Sequence, residues 1–96
     1  MLRILGISGS LRRDSHNTNL LRAAADLLPP GVELHLYDGL RDLPPYDPDL
    51  DVEPAAPAVA RLREMISSAD GILIATPEYN GSIPGVLKNA LDWASR

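Results

Sequence analysis

Residues 2–8 read LRILGIS, a short apolar run that stops at Gly9. An apolar run of this length, ended by a glycine, predicts a buried β-strand. Ser15 can then cap a helix that begins near His16, and the breaker PPG at residues 29–31 ends that helix. The chain therefore opens with a strand, a turn and a helix.

Two further strand-and-helix pairs follow. Residues 32–37 (VELHLY) alternate apolar and polar side chains, which predicts a strand with one dry face or a strand at a sheet edge. Residues 72–76 (ILIAT) are continuously apolar, which is typical of a strand covered on both faces. The apolar stripes of the three predicted helices comprise Leu20, Ala24, Leu27 and Leu28, then Val59, Leu62, Ile66 and Ala69, and finally, from about Pro84, Ile83, Leu87, Ala90, Leu91 and Ala94. The order βαβαβα predicts an α/β fold with a parallel sheet and helices on both of its faces.

This sheet has an open edge. We expect the second strand to lie at one edge beside the first strand, and the third strand to flank the first on its other side. Because an exposed apolar edge invites aggregation, the third strand requires a further neighbour. The pattern favours either a portion of a longer fold or a sheet that another chain completes.

Composition excludes several classes of function. The 96 residues are 45% hydrophobic and 23% charged, which is ordinary for one small globular domain without a membrane helix or a secretory leader. The net charge of −4 argues against a nucleic-acid partner. Cysteine is absent, which excludes thiolate chemistry and agrees with a cytoplasmic protein. His16 and His35 have no partners at metal-ligand spacing, so we predict no metal site.

The segment from residue 38 to residue 57, here called the connector, differs from the rest of the chain. It holds Asp38, Asp42, Asp47, Asp49, Asp51 and Glu53 against Arg41, and it carries Pro44, Pro45, Pro48, Pro54 and Pro57. Proline at this density excludes a helix or a central strand. We interpret the connector as a solvated surface excursion in preference to a lid over a ligand.

The turn after the first strand, GSLRRDSHN over residues 9–17, gathers donors for an anion. The helix that follows directs its positive end at this turn. The donors are the side chains of Ser10, Ser15 and Asn17, together with the Arg12 guanidinium. The alternative is that Ser15 is only a helix cap and Arg12 only a solvated base. The turn lacks the glycine patterns of dinucleotide and P-loop sites, so it suits a phosphomonoester such as that of FMN.

A second candidate motif, TPEYNGSIPG over residues 76–85, leaves the third strand. It lies at the carboxyl edge of the sheet, where doubly wound folds bind ligands. Asn80 can meet the carbonyls and nitrogens of a planar ring, and Tyr79 can form an aromatic wall. The alternative is a well-made turn that precedes a helix, with Tyr79 merely packed. Glu78 has no visible partner, so it is assigned no acid–base role.

The two motifs together resemble those of the NADPH-dependent FMN reductase family, which includes quinone, chromate and azobenzene reductases. They read GSLR-x-x-S-x-N from residue 9 and PEYNGS-x-PG-x-LKNA-x-DW from residue 77. The resemblance implies a flavodoxin-like sheet, of which residues 1–96 form the N-terminal portion because family members are nearly twice as long. It implies that Ser10, Arg12, Ser15, His16 and Asn17 hold the FMN phosphate, and that Pro77, Glu78, Tyr79, Asn80 and Gly81 line the flavin ring.

The resemblance also implies an activity. NADPH or NADH would reduce the flavin, which would then pass electrons to a quinone, an azo compound or a similar small acceptor, without a catalytic side chain. The resemblance further implies a homodimer or a homotetramer. Trp93 is interpreted as a dimer contact in preference to a residue packed under a missing helix. Two alternatives stay open: a non-catalytic flavin-binding or phosphate-binding module, and an inactive truncated subunit completed by another chain.

Overall fold

The computed structural model describes residues 1–10, 15–77 and 83–95, and the elements follow the predicted order. They are β1 (Leu2–Ser8), α1 (His16–Asp26), β2 (Val32–Tyr37), α2 (Pro57–Ser67), β3 (Gly71–Ala75) and α3 (Gly85–Ala94). Two short 3-10 turns, Leu40–Asp42 and Pro48–Leu50, lie within the connector. In the described ranges, no helix is both long and apolar enough to cross a membrane.

The three strands form a parallel sheet in the order β2-β1-β3. Leu5 of β1 pairs with His35 on one side and with Ile72 on the other, which fixes the register of both neighbours. The predicted positions of β2 and β3 on either side of β1 are therefore confirmed. Because side chains alternate along a strand, residues that pair in this register share a face of the sheet.

One face of the sheet carries the core. Leu5 and Ile7 project into it from the central strand, and helices α2 and α3 cover them. The buried cluster consists of Leu5, Ile7, Tyr37, Leu40, Leu43, Val59, Leu62, Leu87, Ala90 and Trp93. The predicted stripe of α2 is confirmed, since Val59 and Leu62 are each 1% exposed and Ile66 and Ala69 pack against the cluster.

Helix α1 lies on the opposite face, and its predicted stripe is wrong at Leu20 and Leu27, whereas Ala24 and Leu28 are half-buried. Leu21 is its buried residue, whereas Leu20 and Leu27 are 62% and 84% exposed. In the first turn of the helix, the Thr18 hydroxyl donates to Ser8 Oγ at 2.9 Å. Leu21 follows Thr18 by three positions, so both side chains lie on the side of α1 that faces the sheet.

Strand β3 is not covered on both faces within the described chain, contrary to its apolar sequence. Ile72, Leu73 and Ile74 are 47%, 41% and 40% exposed. Among the described residues, β3 pairs with β1 and with no other strand. The open apolar edge that the sequence predicts is therefore present.

The first part of the connector is packed on the protein, so its interpretation as a solvated excursion is wrong for residues 39–46, whereas most residues from 47 to 57 are exposed. Leu40 and Leu43 belong to the core. The Pro44 carbonyl accepts hydrogen bonds from Asn89 Nδ2 at 2.9 Å and from Trp93 Nε1 at 2.8 Å. These bonds join the connector to α3.

The connector also explains the burial of Trp93, which is 1% exposed. The Tyr46 ring meets the Trp93 ring edge-on, with centroids 4.7 Å apart. Arg63 of α2 donates to the Trp93 carbonyl and to Asp51. Trp93 is thus a core residue of this chain, and its interpretation as a dimer contact is wrong because the connector already covers it.

Candidate cofactor site

The two candidate loops begin side by side at the carboxyl edge of the sheet. The Gly9 amide donates to the Ala75 carbonyl at 2.8 Å, just where β1 and β3 end. A Cβ atom at Gly9 would overlap Thr76 Oγ1 and lie 2.9 Å from Thr76 Cβ, so only glycine allows this close approach. Residues from the two loops can therefore contact one ligand.

Ser15 caps α1, as one of the two sequence interpretations held. Ser15 is 5% exposed, and its Oγ accepts hydrogen bonds from the amides of Asn17 at 3.1 Å and Thr18 at 3.4 Å. This cap satisfies two amides that a helix leaves unpaired at its start. An anion at this helix end would therefore use donors other than the amides of Asn17 and Thr18.

Two hydroxyl residues that sequence reasoning missed anchor the start of α1. Ser8 Oγ accepts from the Thr18 hydroxyl at 2.9 Å and from the Ser10 amide at 3.4 Å. The sequence signal that could have identified them was a serine at the end of an apolar strand, Ser8, together with a threonine three residues after the helix cap, Thr18. This bonding fixes Ser10 and the first turn of α1 relative to the end of β1.

The structure brings four predicted phosphate residues to one place. Ser10 and Asn17 are half-buried, Ser15 is buried and His16 is exposed, all at the junction of β1 and α1. Pro77, which is half-buried, lies two residues after the end of β3, the strand that pairs with β1. The predicted residues Arg12, Glu78, Tyr79, Asn80 and Gly81 lie outside the described residues.

A cavity of about 200 Å³ adjoins this junction on the side of β2. Its lining comprises Ser8, Ser10, Thr18, Arg22, Leu36, Tyr37, Asp38, Leu40 and Arg41. The Arg61 guanidinium donates to Asp38 Oδ1 at 2.8 Å and lowers the pKa of that carboxyl. Burial raises the pKa of Tyr37, whose hydroxyl has no hydrogen-bond partner in the part of the chain that the structure describes.

Comparison with known proteins agrees with this geometry. The sequence model of the family described as NADPH-dependent FMN reductase matches residues 2–96. The chain belongs to this family. The resemblance stated from the two motifs is therefore confirmed, and the parallel β2-β1-β3 arrangement is the N-terminal half of the family's flavodoxin-like fold.

Individual relatives show the same likeness. An NAD(P)H-dependent FMN reductase of Pseudomonas aeruginosa is 52% identical over 95 residues, which cover 99% of this chain and 51% of that protein. A 2-hydroxy-1,4-benzoquinone reductase of a Burkholderia species is 52% identical over 96 residues, with the same coverage. The flavoenzyme NAD(P)H:(acceptor) oxidoreductase FerB of Paracoccus denitrificans superposes with a TM-score of 0.89 at 41% identity, over 100% of this chain and 52% of FerB. The chain spans about half the length of the curated relatives it matches.

Proposed function

We propose that this chain is the N-terminal portion of an FMN-dependent NAD(P)H oxidoreductase that reduces quinones, azo compounds or similar small acceptors. The observation that carries the proposal is the contact between Gly9 and the end of β3, which starts both motif loops at one point of the sheet edge. Family membership and the quinone-reducing relatives support the same activity.

At the phosphate end, the donors fit a phosphomonoester. The Ser15 oxygen is occupied by amides of α1, but its hydrogen and the His16 amide remain suited to an oxyanion, with the side chains of Ser10 and Asn17 beside them. The positive end of the α1 dipole would stabilise the doubly charged phosphate group of FMN. Arg12 would add a charged, two-pronged donor. These residues bind and orient; they transfer no proton.

At the ring end, Pro77, Glu78, Tyr79, Asn80 and Gly81 would hold the flavin ring. When bound, FMN supplies the hydride acceptor and the electron donor, so the protein needs no catalytic side chain. The work of these residues is to fix the ring and to limit its contact with water. A cytoplasmic location and a homodimeric or homotetrameric state are part of this proposal.

A second candidate is an inactive subunit completed by another chain. The exposed residues Ile72, Leu73 and Ile74 on the open edge of β3 favour it, because a strand from a partner would cover them. Turnover separates the two candidates. If bound flavin loses its visible absorbance on addition of NADPH and regains it on addition of a quinone, the chain acts as an enzyme.

Binding of FMN and of riboflavin tests the phosphate assignment. We expect the unmodified chain to prefer FMN, and Arg12→Ala to weaken FMN binding about tenfold while riboflavin binding is unchanged. Flavin fluorescence quenching measures both. Arg3→Ala is the matched control, because Arg3 lies at the other end of β1. Equal affinities for FMN and riboflavin in the unmodified chain would contradict the assignment.

A further inference from the structure

Strand β2 forms the other edge of the sheet, and its outer side is open. Among the described residues, β2 pairs with β1 and with no other strand. The register with β1 runs from Val32 to Tyr37 without a skipped residue, so β2 contains no bulge. Its sequence, VELHLY, also lacks the lysine and proline that protect many edge strands. Every residue of this edge belongs to the described part of the chain.

The backbone of β2 carries polar groups that another strand can use. The Leu2 amide donates to the carbonyl of Gly31, the residue just before β2. Because the bonding residues alternate along a strand, the odd-numbered residues of β2 bond to β1. The amides and carbonyls of Leu34 and Leu36 therefore point away from β1, toward the open side.

The side chains of β2 form a pattern that matches a second copy of the same strand. In an antiparallel pair of β2 strands centred on Leu34, each Glu33 lies opposite the partner's His35. Val32 then lies opposite the partner's Leu36. Along residues 32–36, an acid therefore meets a base and apolar residues meet apolar residues. Such a pattern is self-complementary, as a two-fold interface requires.

The two charged residues are exposed and lie close together. The side chains of His35 and Glu33 are 57% and 41% exposed, with Nε2 and Oε1 3.6 Å apart on one face of the sheet. Because Leu34 would form a hydrogen-bonded pair with its copy, the flanking Glu33–His35 pairs are of the non-hydrogen-bonded kind, in which opposing side chains lie closest. A cavity of about 330 Å³ between β2 and the end of α2, lined in part by His35, leaves room beside them.

We propose that the outer edge of β2 binds a second copy of this protein in antiparallel orientation, so that the two sheets join into one. The inference deepens the homo-oligomeric part of the proposed function and rests on it. Backbone hydrogen bonds between the two Leu34 residues stabilise the pair, and the two equivalent Glu33–His35 contacts fix its register. Because residues 32–36 make the contact, the interface is small and association depends on protein concentration.

A single cysteine tests the register directly, because the sequence contains no cysteine. Leu34 faces its own copy at a Cα separation of about 5.5 Å, which a disulfide spans. We expect Leu34→Cys to form a covalent dimer under mild oxidation, seen on a non-reducing gel. The matched control is Leu36→Cys, because both leucines lie over Gly6 on the same face. Its cysteine would face the partner's Val32, so it should cross-link about tenfold more slowly or less.

Charge variants test the same contact without a cross-link. His35→Glu places four carboxylates together and should weaken self-association about tenfold or more, because both attractive pairs become repulsive. Adding Glu33→Lys to this variant restores opposite charges across the pair and should restore association. Leu73→Lys, on the open edge of β3, is the control and should leave the association unchanged. Sedimentation velocity over a series of protein concentrations measures the association.

Equal cross-linking of the two cysteine variants overturns the β2 interface, and so does association that Leu73→Lys abolishes while His35→Glu leaves it unaltered. Either result contradicts the interface alone and leaves a homo-oligomer formed through another surface. Protein that stays monomeric at every concentration contradicts both the interface and the homo-oligomeric part of the proposed function. Circular dichroism of each variant verifies its fold. FMN binding, measured on the same samples, tests the flavin part of the proposed function separately.

Discussion

The two faces of the sheet differ sharply in how far this chain completes them. On one face, α2, α3 and the connector enclose a continuous core in which Val59, Leu62 and Trp93 are each 1% exposed. On the other face, α1 buries Leu21, while Leu27, which caps the C-terminal end of α1, is 84% exposed. Within the described residues, α2, α3 and the connector cover the centre of the packed face, whereas the α1 face and the edge of β3 present apolar surface to solvent.

This difference shows where a further layer of structure belongs. Apolar side chains that cannot be buried by their own element indicate a surface that another element covers. Leu73 of β3 pairs with Gly6, whereas Ile72 and Ile74 pair with the core residues Leu5 and Ile7, so the open edge of β3 presents apolar side chains on both faces of the sheet. The relatives, of which this chain spans about half, are long enough to supply such a layer. We therefore expect further structure to cover both surfaces.

The largest expected effect is on the packed face. Trp93→Ala should lower the free energy of unfolding by about 3–5 kcal/mol, because it leaves a large cavity under the connector. Urea denaturation followed by far-ultraviolet circular dichroism measures the loss. Leu27→Ala, at the C-cap of α1, should change the free energy of unfolding by less than about 0.5 kcal/mol. Similar losses for the two variants would refute the contrast between the faces.

Two asparagines allow the same comparison between the packed face and α1 for polar contacts. Asn89→Ala should lower the free energy of unfolding by about 1–3 kcal/mol, since the partly buried Tyr46 amide loses its acceptor. Asn19→Ala, on α1, removes an exposed bond from Arg22 and should cost less than about 0.5 kcal/mol. The same denaturation experiment compares them. An equal cost for both would mean that the connector is not held by its bonds to Asn89.

The smallest effect concerns the unpartnered hydroxyl of Tyr37. Burial raises the pKa of Tyr37, so folding favours the neutral phenol. The corresponding stability is present below the ordinary tyrosine pKa of about 10 and is lost as the pH rises through the higher pKa of the folded state. Tyr37→Phe should remove this alkaline loss and change stability at neutral pH by no more than about 1 kcal/mol.

Thermal unfolding between neutral and alkaline pH measures the Tyr37 effect. Tyr46→Phe is the control, because it keeps Tyr37 and should retain the alkaline loss. An unchanged pH profile in Tyr37→Phe would show that another group causes the loss.

The sequence predicted the order of elements and the strand neighbours because periodicity and breakers are local signals. It did not predict the rotation of α1. Leu20 and Leu21 are adjacent and equally apolar, so the helical period alone cannot choose between them. The choice depends on contacts between elements, such as the burial of Leu21 and the bond between Thr18 and Ser8.

Local sequence patterns also could not predict how the connector packs on the protein. Its prolines and acids indicated exposure, yet the Pro44 carbonyl bonds to Trp93, which lies 49 residues further along the chain. For the cofactor site, the shared sheet edge was predictable from the parallel topology. The role of Ser15 at the start of α1 could not be predicted, because whether Ser15 caps the helix or faces a ligand depends on the conformation of its side chain.

The central place of β1 has a consequence for the order in which the protein is built. β1 is synthesised before both of its neighbours, yet one of them includes Ala75, and the contact between Arg3 and Asp70 spans 67 residues. Such distant pairing slows folding. During translation, β1 must wait with one side open until β3 has been synthesised. The nascent polypeptide is exposed to misassociation during this interval.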